Sequence, residues 1–378
     1  MPQTKRLELD APISADSTLI VPGVLHVYVS FDWGENVDLT AAQRLVPAEL
    51  HTLPRRRRTP TSVAYRSPPL RLPLPPIEIE LTELGTVAAS ADVRLFDFGA
   101  VSVGLEVPFR LSSGALRSVA GHLAEPVDLV RRARAVLEPL YEKLLPAIQD
   151  PQWSSLSEEY FVFEFPSSGE LPSPEELLRD HAQWLAGLLR LEAGALSDEE
   201  VAEALRLRLS YSPSDLLVLE WSAAVLIDRD CDETLETIEF TNLQLLELRY
   251  IDNRLDDRLA DAYRLIHPMA RSSLPFWRTP TRSLRALGDL KIDANELFDR
   301  TGNVLKLVGD QYLARVYRML ATRFHLDDWA KSITSSLEVV ESVYQVVAEQ
   351  ATHNRTELLE VTIIALIVFE ILMAFLGH

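Results

Sequence analysis

Four acidic residues after the middle of the chain have the residue types and spacing of a calcium-binding loop. Asp228, Asp230 and Asp232 alternate along the sequence, and Glu239 follows at the twelfth position. Carboxylates at these places are the ligands with which an EF-hand loop binds Ca²⁺. The sixth position is Glu233, however, where the sharp turn of such a loop needs glycine, and the predicted flanks are a strand and a helix. We therefore predict no metal site; the alternative function of these acids is to complement the dipole at a helix N-terminus.

The other residues with catalytic potential are scattered. The eight histidines show neither HxxxH nor HExxH spacing, and no P-loop, GxGxxG or GxSxG motif is present. The single cysteine, Cys231, excludes an intramolecular disulfide and a zinc site built from several cysteines. We expect a protein that is not an enzyme, without catalytic residues and without a cofactor.

The stretch from Leu358 to Leu376 is apolar except for Glu360, Thr362 and Glu370. As a helix it extends over roughly 28 Å, which is close to the thickness of the hydrocarbon core of a bilayer. Its large apolar residues favour membrane insertion by about 6 kcal/mol, and this gain exceeds the cost of the glutamates by a small margin. The stretch predicts a C-terminal transmembrane helix; the alternative is a helix buried in a soluble bundle or oligomer.

The two glutamates indicate which side of this helix faces protein. At about 100° per residue, Glu360, Ile363, Ile367 and Glu370 fall within one stripe. An acidic side chain at membrane depth faces protein or water rather than lipid, so we expect the stripe to be a contact between copies of the chain. The alternative is that Glu370 pairs within a bundle of its own chain.

Charge and flanking residues restrict the partners. The net charge of −19 over 378 residues repels phosphate, so we expect no nucleic acid. The N-terminus lacks the apolar core of a secretory signal, so the bulk of the chain is expected in the cytoplasm, with the C-terminus in the membrane. His353 and Arg355 form a polar collar at the expected interface, or belong to a plain helix surface. The expected partners are membrane lipid, copies of the chain, and a protein that the sequence does not identify.

Hydrophobic periodicity predicts an α+β fold: an N-terminal mixed α/β domain, then long antiparallel helices, then the hydrophobic C-terminal helix. The predicted elements of the first part are strands at 24–31 and 157–165, a hairpin or bulge around Gly99, two strands within 205–228, a short helix capped by Asp38, and helices at 127–145 and from Pro174. The predicted segments are a strand and helix at 1–53, a proline- and arginine-rich linker at 54–76, an α+β domain at 77–228, a helical stalk or bundle at 229–355, and the hydrophobic helix at 356–378.

The end of the chain resembles the closing signature of a known family. It reads His353-Asn-Arg355, Leu359-Glu360, Ile363-Ile364, Leu366-Ile367 and Glu370-Ile371. This pattern is similar to that of the family called required for meiotic nuclear division, as is the aromatic segment Phe96-Asp97-Phe98-Gly99, although the family usually has tryptophan where Val361 stands. The resemblance implies a membrane-anchored protein that forms oligomers and has no known catalysis.

Three functions are compatible with these patterns. The expected one is a non-enzymatic, membrane-anchored homo-oligomer that acts as a scaffold or binds a protein partner. The second is a soluble regulator or enzyme that uses the acids at 228–239 to bind a metal. The third is a cation conduit similar to CorA-type channels, although the Gly-Met-Asn motif and the second membrane segment of those channels are missing.

Overall fold

The computed structural model describes residues 19–46, 49–50, 67–167, 171–269, 311–339, 342, 345, 362–364 and 366–369. Contacts divide the chain into two compact units, one made of Met1–Glu247 and Gly302–Leu326, the other of Leu248–Thr301 and Asp327–His378. The segments predicted above were drawn from the composition of the sequence, whereas these two units are defined by contacts between residues.

The first unit contains eleven strands among its described residues, and nine of them form one mixed sheet. In chain order the strands are β1 (Ile20–Asp32), β2 (Asn36–Val37), β3 (Glu49–Leu50), β4 (Leu70–Leu81), β5 (Gly85–Leu95), β6 (Ala100–Ser112), β7 (Ile148–Gln149), β8 (Ser157–Pro166), β9 (Arg208–Leu209), β10 (Leu216–Leu219) and β11 (Ala223–Asp228). The sheet order is β3-β4-β5-β6-β1-β8-β11-β10-β9, and all neighbours are antiparallel except β8 and β11. Strands β2 and β7 form a separate two-stranded ladder.

The helices are α1 (Leu39–Leu45), α2 (Ser113–His122), α3 (Val127–Leu144), α4 (Pro174–Asp180), α5 (Ala182–Arg190), α6 (Asp198–Ala204), α7 (Asp232–Met269) and α8 (Gln311–Arg323). The predicted cap is confirmed, because the Asp38 carboxylate accepts a hydrogen bond from the Ala41 backbone N–H at 2.9 Å. The single helix predicted from Pro174 is two helices, because the backbone of His181 leaves the helical conformation.

The proline-rich stretch is a strand from Leu70 onward rather than a connection. Strand β4 pairs with β5, and the register shifts between Leu74 and Ile77. Pro75 and Pro76 lie at this irregularity, which removes the need for the N–H groups that proline lacks. Likewise, the two strands predicted within 205–228 are three, because the chain turns again between β10 and β11.

An apolar core fills one face of the sheet. Along β1 the odd-numbered residues Val27, Val29 and Phe31 belong to this core, because side chains alternate between the faces of a strand. Helices α2, α3 and α5 supply the opposing apolar side chains, among them the fully buried Trp184 and Leu137. The large sheet with flanking helices confirms the mixed α and β class.

The second unit contains helical residues of α7 and of 327–339. The predicted long helix after Asp232 is confirmed, and its described part extends to Met269, so that Pro268, a predicted break, lies within the helix. Ile333 and Leu337 are buried, and the Ser332 hydroxyl donates a hydrogen bond to Asp252. Within the described ranges, no helix is both long enough and apolar enough to cross a membrane.

Candidate functional site

Polar side chains cover part of the sheet face opposite the apolar core. Strand pairing arranges them in rows, because paired residues on neighbouring strands point to the same side. Two rows cross β1, β6 and β5: Tyr28, Gly104, Asp92; and Ser30, Ser102, Arg94. We call these six residues the polar face.

Charged groups connect the polar face to α7. Arg94 donates a hydrogen bond to the Glu239 carboxylate, and Arg71 of β4 donates to Asp92. The Nε atom of Arg94 lies 3.9 Å from the same Asp92 oxygen. Arg71, Asp92, Arg94 and Glu239 therefore form one chain of alternating charges from β4 to α7.

Burial shifts the pKa values of two groups of this charged chain and the polar face, Glu239 and Tyr28. It raises the pKa of Glu239, and the Arg94 guanidinium opposes the rise. Burial also raises the pKa of Tyr28, and the nearby Glu239 raises it further. The Tyr28 phenol is therefore neutral at physiological pH and available as a hydrogen-bond donor.

His26, Glu164 and Cys231 form a second contact group beside the polar face. The Nε2 atom of His26 lies 2.6 Å from a Glu164 carboxylate oxygen, and the Cys231 thiol is close enough to Glu164 for this carboxylate to act on its pKa. Burial raises the pKa of Cys231, and the charge of Glu164 adds to the rise. Because the thiolate is the reactive form of cysteine, this environment disfavours nucleophilic chemistry at Cys231.

A cleft opens to solvent beside the polar face, with a volume of about 360 Å³ that includes its open part. Its polar lining consists of His26, Tyr28, Arg71, Ser90, Asp92, Arg94 and Glu106. A Cβ atom on Gly104 would lie 2.7 Å from Oδ1 of Asp92 and 3.8 Å from the Tyr28 ring. Because Gly104 has no side chain, the Asp92 carboxylate can occupy this part of the cleft.

A buried carboxylate at another part of the sheet is held by two arginines. Glu220, which is 2% exposed, accepts hydrogen bonds from Arg323 of the first unit, and Nη1 of Arg190 lies 3.3 Å from it. The hydroxyl of Tyr160 donates to the backbone carbonyls of Glu220 and Ala223. These contacts fix α8 to the strands, because Arg323 is its last residue.

The acidic residues considered as metal ligands are not brought together. Asp228 ends β11, Asp230 lies in the following turn, and the exposed Asp232 begins α7. Glu239 lies two helical turns further, where it contacts Arg94. Across the described ranges, no group of three or more histidine, cysteine, aspartate or glutamate side chains has the geometry to hold a metal ion.

The predicted membrane segment is described in part. Ile363 and Ile367 of the predicted stripe are helical and exposed by 55% and 50%. Their helical neighbours are exposed by 51% to 62%: Ile364, Leu366, Val368 and Phe369. The remaining predicted residues lie outside the described ranges: Glu360, Glu370, His353 and Arg355.

The polar face was missed by sequence analysis. The available signal was the alternation of polar with apolar residues in β1 and β5, where Tyr28, Asp92 and Arg94 stand between core residues. Alternation predicts the face of a strand but not the neighbouring strand. The charged chain could therefore not be assembled from the sequence.

Comparisons with known proteins place the chain in a family. The model of the family described as "Uncharacterized protein MJ0711, N-terminal domain" matches residues 22–233, more than half of the chain. The chain is 28% identical over 239 residues to uncharacterized protein MJ0711 of Methanocaldococcus jannaschii, which covers 63% of this chain and 72% of the relative. No solved structure matches the chain.

These findings correct the resemblance inferred from the last residues. That resemblance depends on the C-terminal signature, most of which lies outside the described residues, whereas the family match covers β4 to β11 and nearly all of β1. The assignment to the family required for meiotic nuclear division was wrong. The chain belongs to the family of the MJ0711 N-terminal domain.

Proposed function

We propose that this protein is a non-enzymatic scaffold or partner-binding protein that is attached to a membrane by residues 356–378 and assembles with copies of itself. The observation that carries the proposal is the exposure, by half or more, of six large apolar residues that are helical: Ile363, Ile364, Leu366, Ile367, Val368 and Phe369. Exposed apolar groups that lie side by side favour a partner that removes them from water.

These side chains surround the helix. At about 100° per residue, Ile363 and Ile367 lie on one side, and the other four divide between two further sides. A single partner helix covers one side only, whereas lipid covers the whole circumference. A helix that is apolar all round is buried in a protein core or in a membrane, and these exposed residues favour the second.

Self-assembly follows from the glutamates of the same segment. In a continuous helix, Glu360 and Glu370 share one stripe with Ile363 and Ile367. A charged residue costs about 2.5 to 3.5 kcal/mol at the centre of a bilayer unless it faces protein or water. Packing the stripes of two or more copies together removes both glutamates from lipid, and the preceding long helices then form a stalk.

The first unit is the part that binds a partner in this proposal. At one edge of the described sheet, β3 pairs only with Leu70 and Arg71, so the outer edge of β4 from Leu72 to Leu81 has no partner strand among the described residues. Pro73, Pro75 and Pro76 remove three backbone N–H groups from β4, which limits the pairing of this edge with a further strand. Partner recognition therefore uses side-chain surfaces on the cytoplasmic side of the membrane.

The experiment compares the full chain with a chain truncated after residue 355. We expect the full chain in the membrane fraction and, after detergent extraction, as an oligomer in mass measurements; the truncated chain is a soluble monomer. Glu370→Leu tests the stripe, and we expect a membrane-bound protein of lower oligomeric mass. Glu338→Leu, at an exposed helical position outside the apolar segment, is the matched control. A truncated chain with unchanged fractionation and mass would overturn the proposal.

A further inference from the structure

The cleft beside the polar face contains donors and acceptors of both charges. We propose that it binds a small zwitterion of the α-amino acid type, with the ligand carboxylate at Tyr28 and Arg94 and the ligand ammonium at Asp92 and Glu106. The inference is independent of membrane attachment, because every lining residue belongs to the first unit.

Two donors of the cleft lack protein partners. The Nε–H group of Arg94 is buried without a hydrogen-bond acceptor, although its Nη1 group is bound to Glu239. The hydroxyl of the buried Tyr28 has no hydrogen-bond partner within the part of the chain that the structure describes. Buried donors are rarely left unsatisfied, and leaving one so costs about 1 to 3 kcal/mol. A carboxylate in the cleft accepts a hydrogen bond from the Tyr28 hydroxyl, and it reaches the enclosed Arg94 Nε–H group when the Arg94 side chain moves slightly towards the cleft.

Acceptors for an ammonium group lie next to these donors. Oδ2 of Asp92 accepts a hydrogen bond from Arg71. Oδ1 of Asp92 lies against the backbone of Gly104, where another residue would have its side chain. Glu106 lines the same cleft from an exposed position two residues along β6. An ammonium with three donors can therefore contact both carboxylates.

The charge balance favours a zwitterion over an ion of one sign. Two arginines, Arg71 and Arg94, and two acids, Asp92 and Glu106, line the cleft, and Glu239 lies behind Arg94. The group as a whole carries one more negative than positive charge, so a simple anion is repelled. A simple cation leaves the donors of Arg94 and Tyr28 unsatisfied. Only a ligand with both charges meets both requirements.

The size of the cleft limits the ligand. The value of about 360 Å³ includes open solvent, and the space inside the cleft that a water-sized sphere can occupy is about 60 Å³. This is well below the range of about 300 to 1,000 Å³ for sites of drug-sized molecules, so the ligand is very small. This fits an amino acid with a small side chain and excludes nucleotides.

Isothermal titration calorimetry of the full chain with glycine, L-alanine and L-serine tests the proposal. Acetate and methylammonium are the comparison ligands, each carrying one of the two charges. We expect at least one amino acid to bind with a Kd of about 1 mM or lower, and both comparison ligands to bind at least about tenfold more weakly. No amino-acid binding up to about 10 mM, or acetate binding as tight as glycine, would overturn the proposal.

Variants locate the binding. Tyr28→Phe removes one hydroxyl and keeps the ring, and we expect amino-acid binding weakened by roughly tenfold with the fold retained. The control is Tyr211→Phe, at an exposed tyrosine of the same unit, which should bind as the unmodified chain does. Gly104→Ala introduces the methyl group 2.7 Å from Asp92 Oδ1 and should abolish binding. Amino-acid binding that is unchanged in both Tyr28→Phe and Gly104→Ala would place the ligand elsewhere and contradict the assignment.

Discussion

The Arg94 guanidinium of β5 donates a hydrogen bond to the Glu239 carboxylate of α7, and both side chains are nearly excluded from solvent. Removing two charges from water costs several kcal/mol each, and their mutual attraction offsets this cost only while both are present. The pair therefore fixes the rotation of α7 on the sheet. Phe240 and Leu243 pack beside it against Phe96, so polar and apolar contacts define the same docking.

Breaking this pair should destabilise the protein strongly. We expect Arg94→Met to lower the free energy of unfolding by about 3 to 5 kcal/mol, because it leaves Glu239 buried without its cation. The double variant Arg94→Met with Glu239→Met should recover most of the loss, because no charge then remains buried. Urea unfolding followed by circular dichroism measures both. Equal stability of the single and double variants would show that the pair does not act as a unit.

The Arg323–Glu220 contact should hold α8 in place. In Arg323→Ala the buried Glu220 carboxylate keeps Arg190 and the backbone N–H of Trp221 but loses the closer arginine. We expect hydrogen exchange in residues 311–326 to become at least about tenfold faster, with exchange in β1 unchanged. Arg323→Lys retains the charge but not the forked geometry and should give an intermediate rate. Unchanged exchange in Arg323→Ala would show that apolar contacts such as those of Phe324 are sufficient.

Cys231 should be unreactive in the folded protein. Its side chain is buried, and burial and Glu164 raise its pKa, so the thiolate population at pH 8 is very small. Because it is the single cysteine of the chain, alkylation by iodoacetamide reports on this site alone. We expect labelling to require urea, at concentrations that match the unfolding transition. Rapid stoichiometric labelling without urea would contradict the packing at this position.

Stability should decrease at alkaline pH. Burial, with Glu220 adding to it, raises the pKa of Tyr160 above its ordinary value of 10.0. As pH rises, the unfolded chain loses this proton first; the stabilisation is therefore complete below about pH 10 and is lost as pH rises towards the higher folded value. Tyr160→Phe should reduce the slope of stability against pH between about pH 9.5 and 11. The exposed Tyr211 provides the control: Tyr211→Phe should leave that slope unchanged.

The sequence predicts local structure here better than it predicts contacts. Alternation along β1 and the side chain of Asp38 identify their elements because the responsible forces act within a few residues. Alternation at residues 77–81 likewise predicts the second part of β4, whereas the part from Leu70 to Pro76 was not anticipated, because the pairing with β5 accommodates Pro75 and Pro76 at an irregularity.

Helix α7 also shows that the sequence predicts an element but not its contacts. The spacing of its leucines predicts an amphipathic helix, yet Glu239, Asn242 and Gln244 are buried as well. The polar partners of such residues lie far away in sequence, as Arg94 does for Glu239, and periodicity carries no information about them.

The central claim is that residues 363–369 lie in lipid, and a probe at Ile367 tests it most directly. In a chain with Cys231→Ser, Ile367→Cys carries an environment-sensitive fluorophore, and Val127→Cys, at an exposed position of the first unit, is the control. After reconstitution into liposomes, we predict a blue-shifted emission from the probe at 367 that lipid-bound nitroxides quench and aqueous iodide does not, with the opposite pattern at 127. Iodide quenching at 367 that liposomes leave unchanged would contradict the account.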